Sequence, residues 1–191
     1  MKRIIISDIT LKNLSDDRAV SLLFREKSAI ASCADEIGAE VIELPAVKSA
    51  REDKIVYKTI AQNVNNAVLA IPAGFSCEDV SVAWECVKEA KNPRLQIELP
   101  VSTVQMEYTY HIKADKMLEK IAELVCEAKK LCSDVEFCAL DATRADEDFL
   151  IKAATVAKEN GAGIITLCDD AGVSLPDEIA DLVKKVKEAA D

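Results

Sequence analysis

Six short apolar runs alternate with amphipathic stretches along the 191 residues, and this alternation constrains the fold more than any other feature. The predicted strands cover residues 3–7, 39–44, 67–72, 95–101, 135–140 and 163–168. Nearly uninterrupted apolar strands are typical of strands buried on both faces, and strands that alternate with helices form parallel sheets. The sequence therefore predicts an α/β fold built on a parallel sheet.

The spacing of these strands indicates a more specific architecture. One strand with its helix takes about 32 residues, so eight such units would need about 250 residues, the usual size of a (β/α)8 barrel. The chain supplies six of the eight units, which predicts an incomplete barrel. No Gly/Ser-rich linker interrupts residues 1–191, so we expect a single domain. The alternative is an open doubly wound sheet with helices on both faces.

Charge and hydropathy narrow the class of partner. The chain has 24 basic and 34 acidic residues, a net charge of −10, and no basic cluster interleaved with aromatic residues. This balance disfavours a nucleic-acid partner. No stretch approaches the roughly 20 apolar residues of a transmembrane helix, and the apolar run at residues 4–6 is too short for a signal peptide. We therefore expect no membrane association.

Seven cysteines and one histidine limit the metal and redox chemistry. The cysteine number is odd, no C-x-x-C pair occurs, and most of the cysteines lie inside apolar runs. These features favour reduced cysteines in or near the core and a cytoplasmic location. The single histidine, His111, cannot make a multi-histidine metal site, and we interpret it as a solvated loop residue.

Several short motifs occur in a specific order along the whole chain. They are Ile6-Ser7-Asp8-Ile9-Thr10-Leu11, Glu26-Lys27 followed by Ile37-Gly38-Ala39-Glu40-Val41-Ile42-Glu43, Lys91-Asn92-Pro93-Arg94, Met106-Glu107-Tyr108, Val135-Glu136-Phe137, Asp141-Ala142-Thr143-Arg144, and Asp169 with Gly172. In this order they resemble the family of isopropylmalate synthase, homocitrate synthase and citramalate synthase. The resemblance implies a TIM-barrel-like acyltransferase that condenses acetyl-CoA with a 2-oxo acid. It also implies a divalent metal that polarises the oxo acid while a base deprotonates the acetyl group.

The first strand departs from this family at the positions that carry its chemistry. The family places Thr-Leu-Arg-Asp at the end of strand one, and Lys12 and Asn13 stand where its arginine and metal-binding aspartate are expected. An amide is a weaker ligand than a carboxylate for a hard cation, and lysine offers a point charge where arginine offers a planar fork of donors. Asn13 is therefore a degenerate metal position, and we expect no metal on the isolated chain.

Further substitutions lie on later strands. Gln96 stands where the family has a histidine on strand four. On strand five, Cys138 replaces a serine and Leu140 replaces a glutamate. After strand six, Asp170 replaces a threonine. By resemblance, Gln96, Asp141 and Asp170 are candidate substrate-binding residues. The paired metal histidines of the family lie on strand seven, which we expect to be missing from this chain.

Three acidic or basic residues match the family unchanged, namely Glu43, Asp141 and Arg144. The resemblance makes Lys12, Glu43 and Arg144 the candidate catalytic residues, while an ion pair between loops is the alternative for the matching residues. Carboxylates at strand ends could form a cation site or cap helices. They are Asp8, Glu43, Glu98, Asp141, Asp169 and Asp170.

We interpret the chain as a homologue of acetyl-CoA-dependent 2-oxo-acid condensing enzymes that is inactive alone, a pseudoenzyme, or one part of a split enzyme. The alternative is a non-catalytic binding or scaffold protein that retains the α/β fold, and a carboxylate-based lyase or aldolase-like enzyme is a third interpretation. Six strands leave two unpaired edges, so we expect a homodimer or a partner chain that completes the barrel. The expected small molecules are a 2-oxo acid or acetyl-CoA, with a divalent metal only in the completed assembly.

Overall fold

A computed structural model describes residues 3–14 and 21–190 of the chain. Strands alternate with helices along the described residues. The elements are β1 (Ser7–Asp8), α1 (Thr10–Leu14), α2 (Phe24–Glu36), β2 (Val41–Glu43), α3 (Ala50–Asn63), β3 (Val68–Pro72), α4 (Cys77–Val87), β4 (Pro93–Pro100), a π-helix (Val104–Thr109), α5 (Ala114–Leu131), β5 (Val135–Leu140), a 3-10 turn (Ala142–Arg144), α6 (Glu147–Glu159), β6 (Ile164–Leu167) and α7 (Pro176–Ala190). No helix among these residues is long and apolar enough to cross a bilayer.

The six strands follow one another in the sheet in the order β1-β2-β3-β4-β5-β6. The pairs β1–β2, β2–β3 and β5–β6 are parallel in register. A doubly wound sheet requires a point at which the strand order reverses, and this order never reverses. The doubly wound alternative is therefore wrong, and the sequential order is that of a barrel.

Five of the predicted strands coincide with observed strands to within two residues, and the first does not. Residues 3–7 were expected to form it, but β1 covers only Ser7–Asp8, and the side chains of residues 4–6 are at least 60% exposed. Pairing to β2 begins where the carbonyl oxygen of Ile6 accepts the N–H groups of Glu40 and Val41. Burial on both faces is thus wrong for this strand, because it lies at the end of the strand order.

The chain divides into two compact units, and the expectation of a single domain stays a prediction. Unit 1 comprises Met1–Gly74 and Glu78–Leu95, and unit 2 comprises Phe75–Cys77 and Gln96–Asp191. In unit 1, α2 packs on α3 and on β2. The fully buried side chains of this unit include Ile42, Leu44, Tyr57, Ile60, Leu69 and Ile71.

In unit 2, α5 and α6 pack beside β5, α6 also packs beside β6, and α7 packs on α6. Helix α5 buries apolar residues spaced three or four apart, the period of an amphipathic helix. These residues are Met117, Ile121, Leu124, Val125 and Ala128. On β5 the alternate residues Val135, Phe137 and Ala139 are fully buried. His111 lies exposed in the loop before α5, as expected for a solvated residue.

All seven cysteines are free thiols. The expectation that they lie in the core is confirmed for Cys86, Cys132 and Cys138, which are buried. It is wrong for Cys33 and Cys126, which are exposed, because each falls on the outer side of an amphipathic helix.

Candidate functional site

The ends of β1 and β2 bring two of the predicted catalytic residues into contact within unit 1. The Lys12 ammonium donates to Oε2 of Glu43 at 2.8 Å, and the Ser7 hydroxyl donates to Oε1 of Glu43 at 2.7 Å. The side chains of Lys12 and Glu43 are only 27% and 13% exposed, so this ion pair is partly buried. Both oxygens of Glu43 therefore accept hydrogen bonds. Ser7 was not predicted as a site residue.

Two other polar residues of the same segment serve the local backbone. Asp8 precedes α1, and its carboxylate accepts the backbone N–H of Thr10 at 3.2 Å and the Thr10 hydroxyl at 2.9 Å. This is the behaviour of a residue that caps the start of a helix. Asn13 is exposed within α1, and its N–H donates to the Ile9 carbonyl oxygen. The helix-cap interpretation therefore applies to Asp8.

The arrangement at β1 and β2 does not fit the divalent metal that the family resemblance implies. A metal placed by Asn13 and Glu43 would lie beside the Lys12 ammonium, which already holds Glu43 and repels a second cation. In the part of the chain that the structure describes, no group of three or more His, Cys, Asp or Glu side chains is placed to hold a metal ion. Lys12 therefore supplies the positive charge at this end of the strands.

A second cluster lies at the end of β5 in unit 2. The guanidinium of Arg144 donates to both carboxylate oxygens of Asp141, each at 2.7 Å, and the Ser102 hydroxyl donates to Oδ2 of Asp141 at 2.5 Å. Asp141 is fully buried and has a φ of 58°, in the left-handed region that asparagine and aspartate tolerate best among residues with a side chain. Burial alone would raise the pKa of Asp141, but the bonds from Arg144 and Ser102 lower it below its usual value.

The two carboxylates that follow β6 accept hydrogen bonds from the residues that follow β5. Asp170 accepts the backbone N–H of Asp141 at 2.8 Å, so a third predicted site residue joins this cluster. Asp169 accepts the Thr143 hydroxyl at 2.6 Å and the backbone N–H of Ser174 at 3.3 Å. The bond from Thr143 is the main reason that the pKa of Asp169 is lowered. These acids act as acceptors for loop donors in unit 2.

Gln96, the remaining predicted residue, lies in a different polar group. We call Gln96, Glu136, Cys138 and Thr166 the polar strand face, because they occupy the side of β4, β5 and β6 that alternates with the buried apolar residues. Glu136 accepts the Gln96 amide at 3.2 Å, the Thr166 hydroxyl at 2.5 Å and the Cys138 thiol at 3.5 Å. Gln96 is fully buried, and its Oε1 has no hydrogen-bond partner. Its contact is with Glu136, not with the cluster of Asp141.

The motifs of the chain match one family across nearly its whole length. The model of the HMGL-like family matches residues 3–191. The chain belongs to the HMGL-like family. It is 33% identical over 187 residues to the 2-isopropylmalate synthase of Clostridium kluyveri, covering 98% of this chain and 36% of that protein. The 2-isopropylmalate synthase of Carboxydothermus hydrogenoformans is also 33% identical, over 188 residues, with 98% and 37% covered.

These relatives confirm the predicted resemblance to isopropylmalate synthase, whereas the likeness to homocitrate and citramalate synthases stays a prediction. The chain spans about a third of the length of these two family members, since it covers 36% and 37% of them. The roles of Lys12, Glu43, Gln96, Asp141, Asp170, Arg144 and the degenerate position Asn13 likewise stay predictions.

Solved structures support the architecture of this family member. Hydroxymethylglutaryl-CoA lyase from Pseudomonas aeruginosa superposes with a TM-score of 0.71 at 13% identity, over 98% of this chain and 64% of that one. The HMG-CoA lyase from Brucella melitensis gives a TM-score of 0.74 at 14% identity, over 100% of this chain and 69% of that one. The predicted TIM-barrel-like parallel βα repeat, with six of eight units, is confirmed by these matches and by the strand order.

Proposed function

We propose that this chain serves an acyltransferase that condenses acetyl-CoA with a 2-oxo acid, as one part of a larger assembly, and that it is inactive alone. Its identity to proteins named 2-isopropylmalate synthase supports the chemistry. Its span of about a third of their length supports the need for further protein. In this assembly Arg144, fixed by Asp141, provides positive charge for the oxo acid, and a divalent metal would require ligands from outside the described residues.

The observation that carries this proposal is the ion pair between Lys12 and Glu43. A base that removes a proton from the acetyl methyl group needs an available lone pair and a suitable pKa. Both Glu43 oxygens already accept hydrogen bonds, from the Lys12 ammonium and the Ser7 hydroxyl, so proton abstraction by Glu43 would have to displace one of these donors. Lys12 and Glu43 therefore neutralise each other in the site at β1 and β2.

We expect no detectable condensation by the chain alone. Losing one electrostatic donor from a preorganised site costs about 10² to 10³ in rate, and here the metal ligand and the arginine fork are both replaced. The measurement is thiol release from acetyl-CoA with 2-oxoisovalerate, pyruvate or 2-oxoglutarate, with the full-length synthase of Clostridium kluyveri as the positive control. A turnover near 1 per second for this chain would contradict the proposal.

We further propose that the assembly forms through the ends of the strand order, as a homodimer or with a partner chain. The first edge exposes Ile4 at 82% and Ile5 at 60%, and the residues of β6 at the other edge are all half-exposed. Apolar, unprotected edges favour pairing with another chain.

The free thiols and the acidic net charge fit a cytoplasmic protein, and we propose the cytoplasm as its location.

Light scattering at micromolar concentration tests this assembly. We expect a mass of twice the 20.8 kDa of one chain, or more. Ile4→Lys places a charge in the segment that leads into β1 and should shift the protein toward monomer. Ile37→Lys is the matched control, because Ile37 is equally exposed, at 84%, but directly follows α2. A wild-type monomer, or equal effects of both variants, would rule the edge out as the interface.

A non-catalytic binding or scaffold protein is the second candidate, and the internal use of the loop acids favours it. Asp141 accepts hydrogen bonds from Arg144 of its own loop, and Asp170 and Asp169 accept from the residues Asp141 and Thr143 that follow β5. If calorimetry with acetyl-CoA and with 2-oxoisovalerate detects no binding even to the assembled protein, this second candidate replaces the first.

A further inference from the structure

A groove of about 380 Å³ lies between β6 and α7 in unit 2. Apart from two lysines its lining is aliphatic, and it includes Ile165 and Leu167 from β6 and Val183, Val186 and Ala190 from α7. Helix α7 packs on α6, and the Lys158 ammonium donates to the carbonyl oxygen of Ala190 at the end of α7. Val186 is buried, but Val183 remains 47% exposed and every residue of β6 is half-exposed. The apolar space between strand and helix is therefore only partly filled.

The unpaired edge of β6 borders this groove. Among the described residues, β6 ends the strand order and pairs only with β5. A strand at the end of a sheet leaves a row of N–H and C=O groups unpaired and is a template for a further strand. A small apolar molecule would fill the groove and leave these backbone groups without partners. A strand that pairs with β6 would satisfy both requirements, since its alternate side chains would enter the groove.

One segment of the chain has the properties of such a strand. Ile4, Ile5 and Ile6 are the only three consecutive large apolar residues in the described ranges that are all exposed, at 82%, 60% and 65%. β-Branched residues favour the extended backbone of a strand. This segment leads into β1, which stands at the opposite end of the strand order and does not pair with β6 of the same chain. A second copy of the chain can therefore supply residues 4–6 to β6.

The alternation of side chains decides which of these isoleucines can enter the groove. Asp8 of β1 is paired in register with Ile42 of β2, which is fully buried on the strand that α2 packs against. Side chains two residues apart in a strand share a face, so Ile4 and Ile6 lie on the face of Asp8 and Ile42 when the strand continues toward the N-terminus. Ile5 lies on the other face. Ile4 and Ile6 thus project from the helix-covered face of β1, and the groove lies on the helix-covered face of β6.

We propose that residues 4–6 of a second copy pair in parallel with the unpaired edge of β6, with Ile4 and Ile6 inserted into the groove beneath α7. Parallel pairing continues the direction of the β1–β2 and β5–β6 ladders. It also brings Lys12, which follows β1 of one copy, and Asp170, which follows β6 of the other, to the same edge of the joined sheet. The inference rests on the proposed assembly through the strand edges, and it adds the partner, the segment and the direction.

Mixed methyl labelling tests this pairing. One deuterated sample of the chain carries ¹³C-methyl groups on isoleucine and another carries them on valine, and the two are mixed so that copies exchange. Nuclear Overhauser contacts between isoleucine and valine methyl groups then report only contacts between copies. We expect contacts from Ile4 to Val186 and from Ile6 to Val183, because α7 ends near the start of β6, where Lys158 of the preceding helix contacts Ala190. Ile4→Val and Ile6→Val assign the isoleucine signals.

Two variants of α7 locate the groove. Val183→Asp should raise the dimer dissociation constant at least tenfold, because pairing would bury its carboxylate against aliphatic side chains. Ala180→Asp is the matched control, since Ala180 is exposed on the same helix and is not part of the groove lining. It should leave the dissociation constant unchanged. Analytical ultracentrifugation measures both constants, and circular dichroism checks that both variants are folded.

The outcomes separate this inference from the proposed function. A stable dimer without the expected contacts, or with contacts in the opposite order, from Ile4 to Val183 and from Ile6 to Val186, would overturn the parallel pairing and leave the dimer intact. Equal dissociation constants for the two aspartate variants would also overturn it. A wild-type monomer would overturn both this inference and the proposed assembly. Thiol release from acetyl-CoA decides the condensation proposal independently of all these results.

Discussion

Replacing Asp35 by alanine is expected to lower the free energy of unfolding by about 3 kcal/mol. Asp35 lies near the end of α2, is 7% exposed, and accepts the backbone N–H groups of Asn65, Asn66 and Ala67 at 2.9, 3.0 and 2.7 Å. These three donors form the turn that leads into β3. Alanine would leave the buried Ala67 N–H without an acceptor, and an unsatisfied buried donor costs about 1 to 3 kcal/mol on its own. Urea denaturation at pH 7 measures the loss.

Asp35→Asn is the matched control, because an amide keeps one oxygen acceptor and removes the charge. We expect it to cost about half as much as alanine. Burial works to raise the pKa of Asp35, but the backbone N–H bonds outweigh it and lower the pKa. A lowered folded pKa means that this stabilisation is complete above the unfolded value of about 3.9 and is lost as the pH falls through the folded value. The gap between wild type and Asp35→Asn should therefore narrow below about pH 4. A gap that widens in acid would contradict this assignment.

Replacing Asp141 by alanine is expected to have an effect of similar size, about 3 to 4 kcal/mol of unfolding free energy. The exchange leaves the buried Ser102 hydroxyl without its acceptor and releases the Arg144 guanidinium. It also places alanine at a φ of 58°, a left-handed conformation that costs a residue with a Cβ roughly 1 to 2 kcal/mol. Thermal and urea unfolding of the purified variant measure the sum of these terms.

Asp141→Gly separates the two contributions. Glycine also removes the carboxylate, but it adopts positive φ without strain. We expect Asp141→Gly to be more stable than Asp141→Ala by about 1 kcal/mol. If the two variants are equally stable, strain at this residue contributes nothing, and the whole effect belongs to the hydrogen bonds of Ser102 and Arg144.

Five of the strands, β2 to β6, could be predicted because each is a short apolar run between amphipathic stretches. Residues 135–140 were predicted and observed with identical limits, and four other strands agree to within two residues. At β1 the same apolar pattern gave a wrong prediction. The isoleucines at residues 4–6 remain exposed, and pairing with β2 begins only after them. Hydropathy records how apolar a segment is, but it does not record whether a neighbour covers it.

The residues of the candidate site could also be predicted only in part. The sequence identified Lys12, Glu43, Asp141, Arg144 and Asp170, and the structure joins them into two clusters, one in each unit. Their further partners could not be predicted.

Ser7 and Ser102 carry no signal of their own, since serine is common at strand ends. Glu136 and Thr166 could have been noticed as polar residues at alternate positions within apolar runs, the period of a strand. Which acidic side chain contacts which basic side chain depends on the register between strands, and the register cannot be read from a single sequence.

The polar strand face has a consequence for how this chain can change over evolutionary time. Glu136 accepts hydrogen bonds from Gln96 and Thr166 across β4, β5 and β6, while Val135, Phe137 and Ala139 on the alternate positions are fully buried. A substitution on the apolar side of these strands changes the packing of the core, whereas a substitution among the buried polar residues changes their hydrogen bonds. On the other side, one hydrogen-bonding residue can replace another without creating a cavity in the core. A lineage can thus exchange residues on this face one substitution at a time, as long as the buried polar groups keep hydrogen-bond partners.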